Sequence, residues 1–192
     1  MPHVARITIH PVKGLGGSEV DAARVTESGA LEDDRRWRLV DAEGAVIEPS
    51  RWPILKHVHA EFLLASREVF LAIGRHAGVA APVAGRFTLS PGPDGPGAWL
   101  SDCLGTHVSL QERPEGGFPD DPDAPGPTIA AAASLGEVAR WFGLPLDDVR
   151  RRCPVGIEIG DCDPFWEDTL ASPARPGSLA PLGALAGLPA DP

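Results

Sequence analysis

The sequence predicts a mainly β fold with a few helices. Short segments in which hydrophobic and polar residues alternate are typical of half-buried strands, and they recur along the chain. Glycine and proline number 22 and 21 among 192 residues, and their clusters separate these segments and indicate frequent turns. Short strands in such close succession are expected to form a small antiparallel barrel.

The predicted strands share an alternating or a short apolar pattern. In one of them, His57, His59 and Glu61 lie on one predicted face and apolar residues lie on the other. Asp41–Gly44 predicts a hairpin turn, because glycine readily adopts the left-handed backbone that such a turn needs. The predicted strands are 4–9, 36–40, 45–47, 57–66, 69–73, a short one near 87–89, and 157–159.

Two segments predict helices. Pro96–Leu104 is expected to be a short helix. Residues 135–142 carry apolar side chains at helical spacing, and Gly143 follows where a glycine commonly ends a helix. Ser134 and Glu137 match the S-x-x-E capping box, so Ser134 is predicted to cap this helix.

Charge and composition exclude several classes of function. The net charge of −10 repels phosphate backbones, so the sequence predicts no nucleic-acid binding, although one local basic pocket stays compatible with it. No apolar run approaches the ~20 residues that span a bilayer, and the N-terminus lacks signal-peptide features. We therefore expect a cytoplasmic protein without membrane association. Three cysteines without CxxC or Cys/His spacing predict neither a disulfide scaffold nor a dedicated zinc site.

Four segments in a fixed order resemble the motifs of a known family. They are Ile9–Leu15 (IHPVKGL), Gly29–Asp41 (GALEDDRRWRLVD), Gly126–Leu135 (GPTIAAAASL), and Val149–Arg152 with Pro164–Asp168 (VRRR and PFWED). Their order and spacing across residues 4–170 are similar to those of the MOSC family, the molybdenum-cofactor-sulfurase C-terminal-like domains that carry an N-terminal β-barrel. The corresponding family motifs are YPVKS, G-L-x-x-DRRW-x-LVD, GPTVISTATL, and RRRFRxN followed by PFWED.

The resemblance implies a domain organisation. It implies a MOSC N-terminal β-barrel followed by the first part of a MOSC-type β-barrel. We expect residues 1–112 to form the N-terminal barrel-like domain and residues 113–170 to form a partial MOSC-like domain. Residues 171–192 are rich in proline, alanine and glycine and are expected to be a linker or a disordered tail.

The resemblance also implies a cofactor and partners. MOSC proteins use a molybdenum cofactor (molybdopterin), whose metal is ligated by a cysteine thiolate and whose phosphate is held by basic residues. Members of the family reduce N-hydroxylated compounds with electrons from partner proteins, or carry sulfur for the cofactor. In its complete form the protein is therefore expected to use a small-molecule substrate and an electron-donor protein of the ferredoxin or flavin type.

Three residues are expected to bind the cofactor, and two of them, Lys13 and Arg35, match basic positions of the family. Lys13 lies beside exposed glycine backbone, a combination that can hold a phosphate, and the guanidinium of Arg35 suits a bidentate contact with one. Thr128 keeps a hydroxyl near a helix start. The resemblance assigns cofactor binding to these three residues and identifies neither a metal ligand nor a catalytic residue. The simpler alternatives are a solvated lysine, an arginine paired with Asp33 or Asp34, and a strand-end threonine.

The chain also departs from the family pattern. Gly14 replaces a serine, Pro154 and Gly156 replace an arginine and an asparagine, and Ala131 and Ala132 replace residues with hydroxyls. The metal-ligating cysteine of the family lies in a PCxRC segment beyond PFWED that these 192 residues do not contain. Two hypotheses follow. The chain is an incomplete or diverged molybdenum-cofactor protein, with oxidoreductase or sulfur-carrier activity in its complete form, or it is a cofactor-free binding or structural module.

Other polar residues have simpler interpretations. Arg150–Arg152 are expected in a polar turn, either solvated or paired with nearby acids. Glu167 and Asp168 could act as a carboxylate pair in acid–base chemistry. The simpler expectation is that these carboxylates, and those of the loop Phe118–Asp121, accept hydrogen bonds from backbone donors. Cys153 is expected to be a small buried hydrophobic residue.

Overall fold

The computed structural model describes residues 1–74 and 83–170, and it confirms a mainly β fold with a few helices. The strands are β1 (His3–Ile9), β2 (Val12–Lys13), β3 (Ser18–Val20), β4 (Trp37–Val40), β5 (Val58–Leu63), β6 (Glu68–Ile73), β7 (Val83–Thr88), β8 (Ser109–Glu112), β9 (Ile129–Ala131) and β10 (Ile157–Gly160). The α-helices are α1 (Gly97–Leu104), α2 (Ala132–Phe142) and α3 (Leu146–Arg152), and 3₁₀ turns occupy Pro53–His57, Leu64–Ser66 and Trp166–Leu170. The tail predicted at 171–192 lies outside the described residues.

The strands form three sheets, and each is open within the described residues. Their strand orders are β3-β1-β10-β9, β2-β4-β8 and β5-β6-β7. The predicted antiparallel pairing is found between β1 and β10, between β4 and β8, and throughout β5-β6-β7. The pairs β2–β4 and β9–β10 are parallel instead. Parallel neighbours need a long connection, and α2 and α3 provide it between β9 and β10.

The alternation predicted for the strand around His59 is present in β5. Val58, Ala60 and Phe62 are buried, whereas His59 and Glu61 are exposed. The buried side chains join the larger hydrophobic core, which includes Trp37 and the apolar residues of β6. A buried valine or phenylalanine side chain stabilises the fold by about 1.5–3 kcal/mol, so this face fixes the register of the strand.

The predicted hairpin after β4 is also present. The Asp41 backbone N–H donates to the carbonyl of Ala45 at 3.0 Å, and the Asp41 carboxylate accepts from the Ala45 backbone N–H at 2.8 Å. Gly44 has a φ of +82°, the left-handed conformation that the turn requires. Val40 and Val46 then form an antiparallel bridge.

The chain divides into two compact units. The first unit comprises residues 1–8, 19–31 and the chain from 121 onward, and the second comprises residues 9–18 and 32–120. The core of the second unit is the cluster around Trp37. The first unit has a smaller core of Ala130, Leu135, Ala139, Val149 and Val155. The domain boundaries at 112 and 170 stay a prediction.

The prediction that Ser134 caps α2 is wrong. The helix begins at Ala132, so Ser134 lies within its first turn. Its hydroxyl accepts a hydrogen bond from the Phe165 backbone N–H at 2.6 Å and donates to Glu167 Oε2 at 2.9 Å. The residue that precedes the helix, Ala131, has no polar side chain with which to cap it. Its own backbone N–H donates to Glu167 Oε2 at 3.1 Å. The carboxylate of Glu167, from a distant segment, thus accepts hydrogen bonds at the start of the helix. Its bond to a backbone donor was expected.

The arginines 150–152 lie on α3 rather than in a turn. Asp147 and Asp148 in the first turn and the arginines in the last turn have the charges that favour each end of a helix. Arg150 pairs with Asp147 and with the buried carboxylate of Glu158, at 2.8 Å from NH2 to Oε2. The expected pairing of Arg150 with acids is therefore present. The prediction of a buried Cys153 is wrong, because this residue is exposed just after the helix ends.

Candidate anion-binding site

Lys13 and Arg35 meet at one carboxylate in the second unit. The Nζ atom of Lys13 lies 2.8 Å from Oδ1 of Asp120, and NH2 of Arg35 lies 3.4 Å from Oδ2 of the same residue. The Lys13 and Arg35 side chains are only 20% and 14% exposed, whereas Asp120 is 68% exposed. Two partly buried cations therefore point toward one surface position, which an anion occupies.

The backbone holds Arg35 from two sides. Asp33 and Arg35 have φ values of +64° and +48°, so the chain before β4 is tightly turned. The Arg35 N–H donates to the carbonyl of His10 at 2.7 Å, and the Arg35 carbonyl accepts from the N–H of Phe118 at 2.8 Å. These bonds fix the backbone of Arg35 at the site.

The buried carboxylate of Asp34 neutralises part of the positive charge that Lys13 and Arg35 bring to the site. Its carboxylate is 8% exposed and accepts hydrogen bonds from the His10 backbone N–H at 2.8 Å and from Arg35 NH1 at 2.9 Å. The His10 ring is close by, with Nδ1 at 3.8 Å from the carboxylate. Burial lowers the pKa of His10, Asp34 partly opposes that effect, and Arg35 adds to it. The imidazole is thus kept neutral at physiological pH.

Asp120 is held in its ionised form. Burial by itself would raise its pKa, but the hydrogen bond from Lys13 and the charges of Arg35 and Lys13 outweigh that effect, and the pKa is lowered. An anion at this position is therefore favoured by the surroundings. The prediction that the carboxylates of the 118–121 loop accept from backbone donors is wrong for Asp120, which pairs with two side chains.

The neighbouring arginine has different partners. Arg36 binds Glu112 at 2.6 Å from NH2 and Asp33 at 2.9 Å from NH1, and its guanidinium lies 5.0 Å from the Trp37 ring. Burial would lower the pKa of Arg36, but the hydrogen bonds to Glu112 and Asp33 raise it. Arg35 and Arg36 therefore form separate ion-pair networks.

Two of the departures from the family pattern fit the local backbone. Gly14 has a φ of +90°, and a Cβ atom there would lie 3.2 Å from Cδ of Pro49, so a serine would be strained. A Cβ atom on Gly156 would lie 2.8 Å from Cβ of Pro127, which leaves no room for an asparagine. The packing of Pro49 and Pro127 therefore explains why these two positions are glycine in this chain.

Thr128 belongs to the first unit and is exposed. Its backbone carbonyl accepts from the N–H groups of Gly156 and Ile157 at 2.9 and 3.0 Å, which ties it to the start of β10. Its predicted role in cofactor binding stays a prediction, as do the roles of Lys13 and Arg35. The alternative in which Arg35 pairs with Asp34 is found in the structure, at 2.9 Å. Sequence reasoning missed His10 and Asp120 as neighbours of the site.

The described residues offer little to a metal ion. They contain no group of three or more histidine, cysteine, aspartate or glutamate side chains arranged to hold one. His59 lies on the exposed face of β5 with Glu61 at 3.0 Å.

Across 1–74 and 83–170, every helix is too short or too polar to cross a lipid bilayer.

Residues 1–107 match the family model described as the MOSC N-terminal beta barrel domain. The matched region covers more than half of the chain and contains Lys13 and Arg35. No curated protein matches the chain.

Proposed function

Because the chain belongs to the MOSC family, whose members are associated with the molybdenum cofactor, we propose that it binds a molybdopterin-type cofactor through its phosphate at Lys13 and Arg35. The observation that carries the proposal is the meeting of both side chains at the carboxylate of Asp120. A carboxylate is an anion with hydrogen-bond acceptors, so its position is one that a phosphate oxygen can take. Arg35 suits this role because its guanidinium offers several donors in a fixed plane.

The phosphate fits these residues better than the metal does. The thiols of Cys103 and Cys162 have pKa values that burial raises, which favours the protonated form over the metal-binding thiolate. The described residues also contain no group of three or more histidine, cysteine, aspartate or glutamate side chains arranged to hold a metal ion, so none is assigned to the molybdenum. When bound, the cofactor would supply redox or sulfur-transfer chemistry. Oxidoreductase or sulfur-carrier activity of the complete form, with a small-molecule substrate and an electron-donor protein, belongs to the same proposal.

A cofactor-free binding or structural module is the second candidate. The observation that favours it is the charge balance of the site. Lys13 and Arg35 carry two positive charges, and Asp34 and Asp120 carry two negative charges. The cluster is thus neutral without any ligand, as a purely structural ion-pair network would be.

Thermal unfolding with and without molybdopterin separates the two candidates. A ligand that binds only the folded state at a hundredfold excess over its Kd adds about 2.7 kcal/mol of stability. We expect that gain in the wild-type protein and its loss in Arg35→Ala. Arg36→Ala is the matched control, because Arg36 contacts Glu112 and Asp33 instead. Each variant is compared with its own ligand-free state, which removes any direct effect of the substitution.

Two results of this experiment would contradict the proposal. If molybdopterin stabilises none of the three proteins, the cofactor-free module is correct. If the gain survives in Arg35→Ala but not in Arg36→Ala, the ligand binds elsewhere and the assignment of Lys13 and Arg35 is wrong.

A further inference from the structure

Asp120 occupies the position at which the two cations converge. Each of its carboxylate oxygens faces one of them, Oδ1 toward Lys13 and Oδ2 toward Arg35. A ligand phosphate that binds the same two side chains must displace this carboxylate. The wild-type site is therefore already occupied by an anion of the protein itself.

The segment that carries Asp120 is fixed just before it. Phe118 donates its backbone N–H to Arg35, and its ring lies 4.3 Å from the guanidinium carbon of Arg38. Gly117 has a φ of +57°, and a Cβ atom there would lie 2.6 Å from the carbonyl oxygen of Asp34. Asp120 is mostly exposed, so its side chain can rotate into solvent while the anchor at Phe118 stays in place.

The cost of displacement depends on the incoming anion. Rotating Asp120 away breaks two ion pairs and leaves the site with one net positive charge, since Asp34 remains bound to Arg35 and to the His10 backbone. A bound monocarboxylate supplies one negative charge and two acceptor oxygens, which only replace those of the Asp120 carboxylate. A phosphate monoester carries about −1.5 to −2 charges at neutral pH and three acceptor oxygens, so it exceeds what the carboxylate provided.

We propose that Asp120 is a specificity-determining residue of this site, an internal anion that admits phosphate monoesters and rejects monocarboxylates. The proposal rests on the proposed function, because it assumes that Lys13 and Arg35 form a ligand site. It adds that the selectivity comes from competition with the protein's own carboxylate. Removing that competitor strengthens anion binding and broadens it.

The test compares two probes on four proteins. Glycerol 3-phosphate and acetate are titrated by calorimetry into the wild type, Asp120→Asn, Asp121→Asn and Arg35→Ala. Asp120→Asn removes the competing charge at nearly constant volume. Asp121→Asn is the matched control, because it removes an equal charge from the adjacent exposed residue, which is bonded to the backbone N–H of Asp123 instead.

We expect Asp120→Asn to lower the Kd for glycerol 3-phosphate by about tenfold, the scale set by the loss of two exposed ion pairs. Acetate should bind measurably to Asp120→Asn and not to the wild type. Asp121→Asn should behave as the wild type does, and Arg35→Ala should bind neither probe.

The possible outcomes separate the two proposals. If the wild type and Asp120→Asn bind glycerol 3-phosphate equally while Arg35→Ala loses it, the anion site stands and the role of Asp120 is overturned. An equal gain in Asp121→Asn also overturns that role, because it indicates a general effect of net charge. If no protein binds glycerol 3-phosphate, both proposals fail at this site.

Discussion

The backbone N–H of His10 donates a hydrogen bond of 2.8 Å to the carboxylate of Asp34, which lies 24 residues further along the chain. The same carboxylate binds the guanidinium of Arg35. One buried acid therefore joins the segment after β1 to the tight turn before β4. Asp34 is structural in this arrangement, whereas Asp120, on the solvent side of Arg35, is replaceable.

Asp34→Ala is expected to destabilise the protein by about 3 kcal/mol. The substitution leaves the His10 N–H and one donor of Arg35 buried without their acceptor, and such losses are large when a charged partner is removed. Urea unfolding measures the change in the free energy of unfolding.

Asp120→Ala is the control for that experiment. It removes a carboxylate from the same arginine and from Lys13 but at an exposed position, so its cost should stay at about 1.4 kcal/mol, the scale of two surface ion pairs. Equal losses in the two variants would contradict the division between a structural and a replaceable acid.

Stability should also depend on the protonation of His10. Its pKa is lowered from 6.5, mainly by burial, so the unfolded chain binds a proton at a higher pH than the folded protein does. The contribution of neutral His10 is complete above about pH 6.5 and decreases as the pH falls below that value toward the folded-state pKa. Between about pH 7.5 and 5.5, the wild type should therefore lose more unfolding free energy than His10→Gln. Parallel pH profiles for the two proteins would show that His10 makes no such contribution.

Features set by neighbouring residues could be predicted from the sequence. The hairpin at Asp41–Gly44, the buried face of β5 and the end of α2 at Gly143 each depend on a few adjacent residues and on one backbone preference. The helix cap failed because α2 begins at Ala132, two residues before Ser134. The local pattern of Ser134 and Glu137 satisfied the capping rule, but the Ser134 hydroxyl binds Glu167 and the Phe165 N–H, which come from a distant segment.

The candidate site could be predicted only in part. Lys13 and Arg35 were identified from a family resemblance, and the parallel pairing of β2 with β4 explains why they lie near each other. Asp120 could not be identified, because its loop is rich in proline, glycine and aspartate and has no periodicity. Its position depends on the contact of Phe118 with Arg38 and on the conformation of Gly117, which are long-range features of the folded chain.

Glu167→Ala is expected to destabilise the first unit by about 1–2 kcal/mol. The variant loses an acceptor for the Ala131 backbone N–H and for the Ser134 hydroxyl at the start of α2. Asp168→Ala removes the adjacent, exposed carboxylate and should change the unfolding free energy by less than about 0.5 kcal/mol. Chemical denaturation followed by far-ultraviolet circular dichroism measures both. A larger effect of Asp168→Ala would refute the assigned role of Glu167.

The consecutive arginines of α3 should differ sharply in their contribution to stability. Arg150 binds Glu158, whose side chain is only 4% exposed, whereas Arg151 pairs with Asp148 on the helix surface. Arg150→Ala leaves a buried carboxylate with Arg6 as its remaining ion-pair partner, at 3.8 Å, so we expect a loss of about 2–3 kcal/mol. Arg151→Ala removes only a surface pair and should cost less than about 0.5 kcal/mol. Urea unfolding of both variants, and of the double variant Arg150→Ala/Glu158→Gln, tests the cause. The double variant should recover part of the loss, because neutralising Glu158 removes a buried charge that has lost its closer partner. If Arg150→Ala and Arg151→Ala cost the same, or if the double variant is less stable than Arg150→Ala alone, the buried pair is not what distinguishes the two arginines.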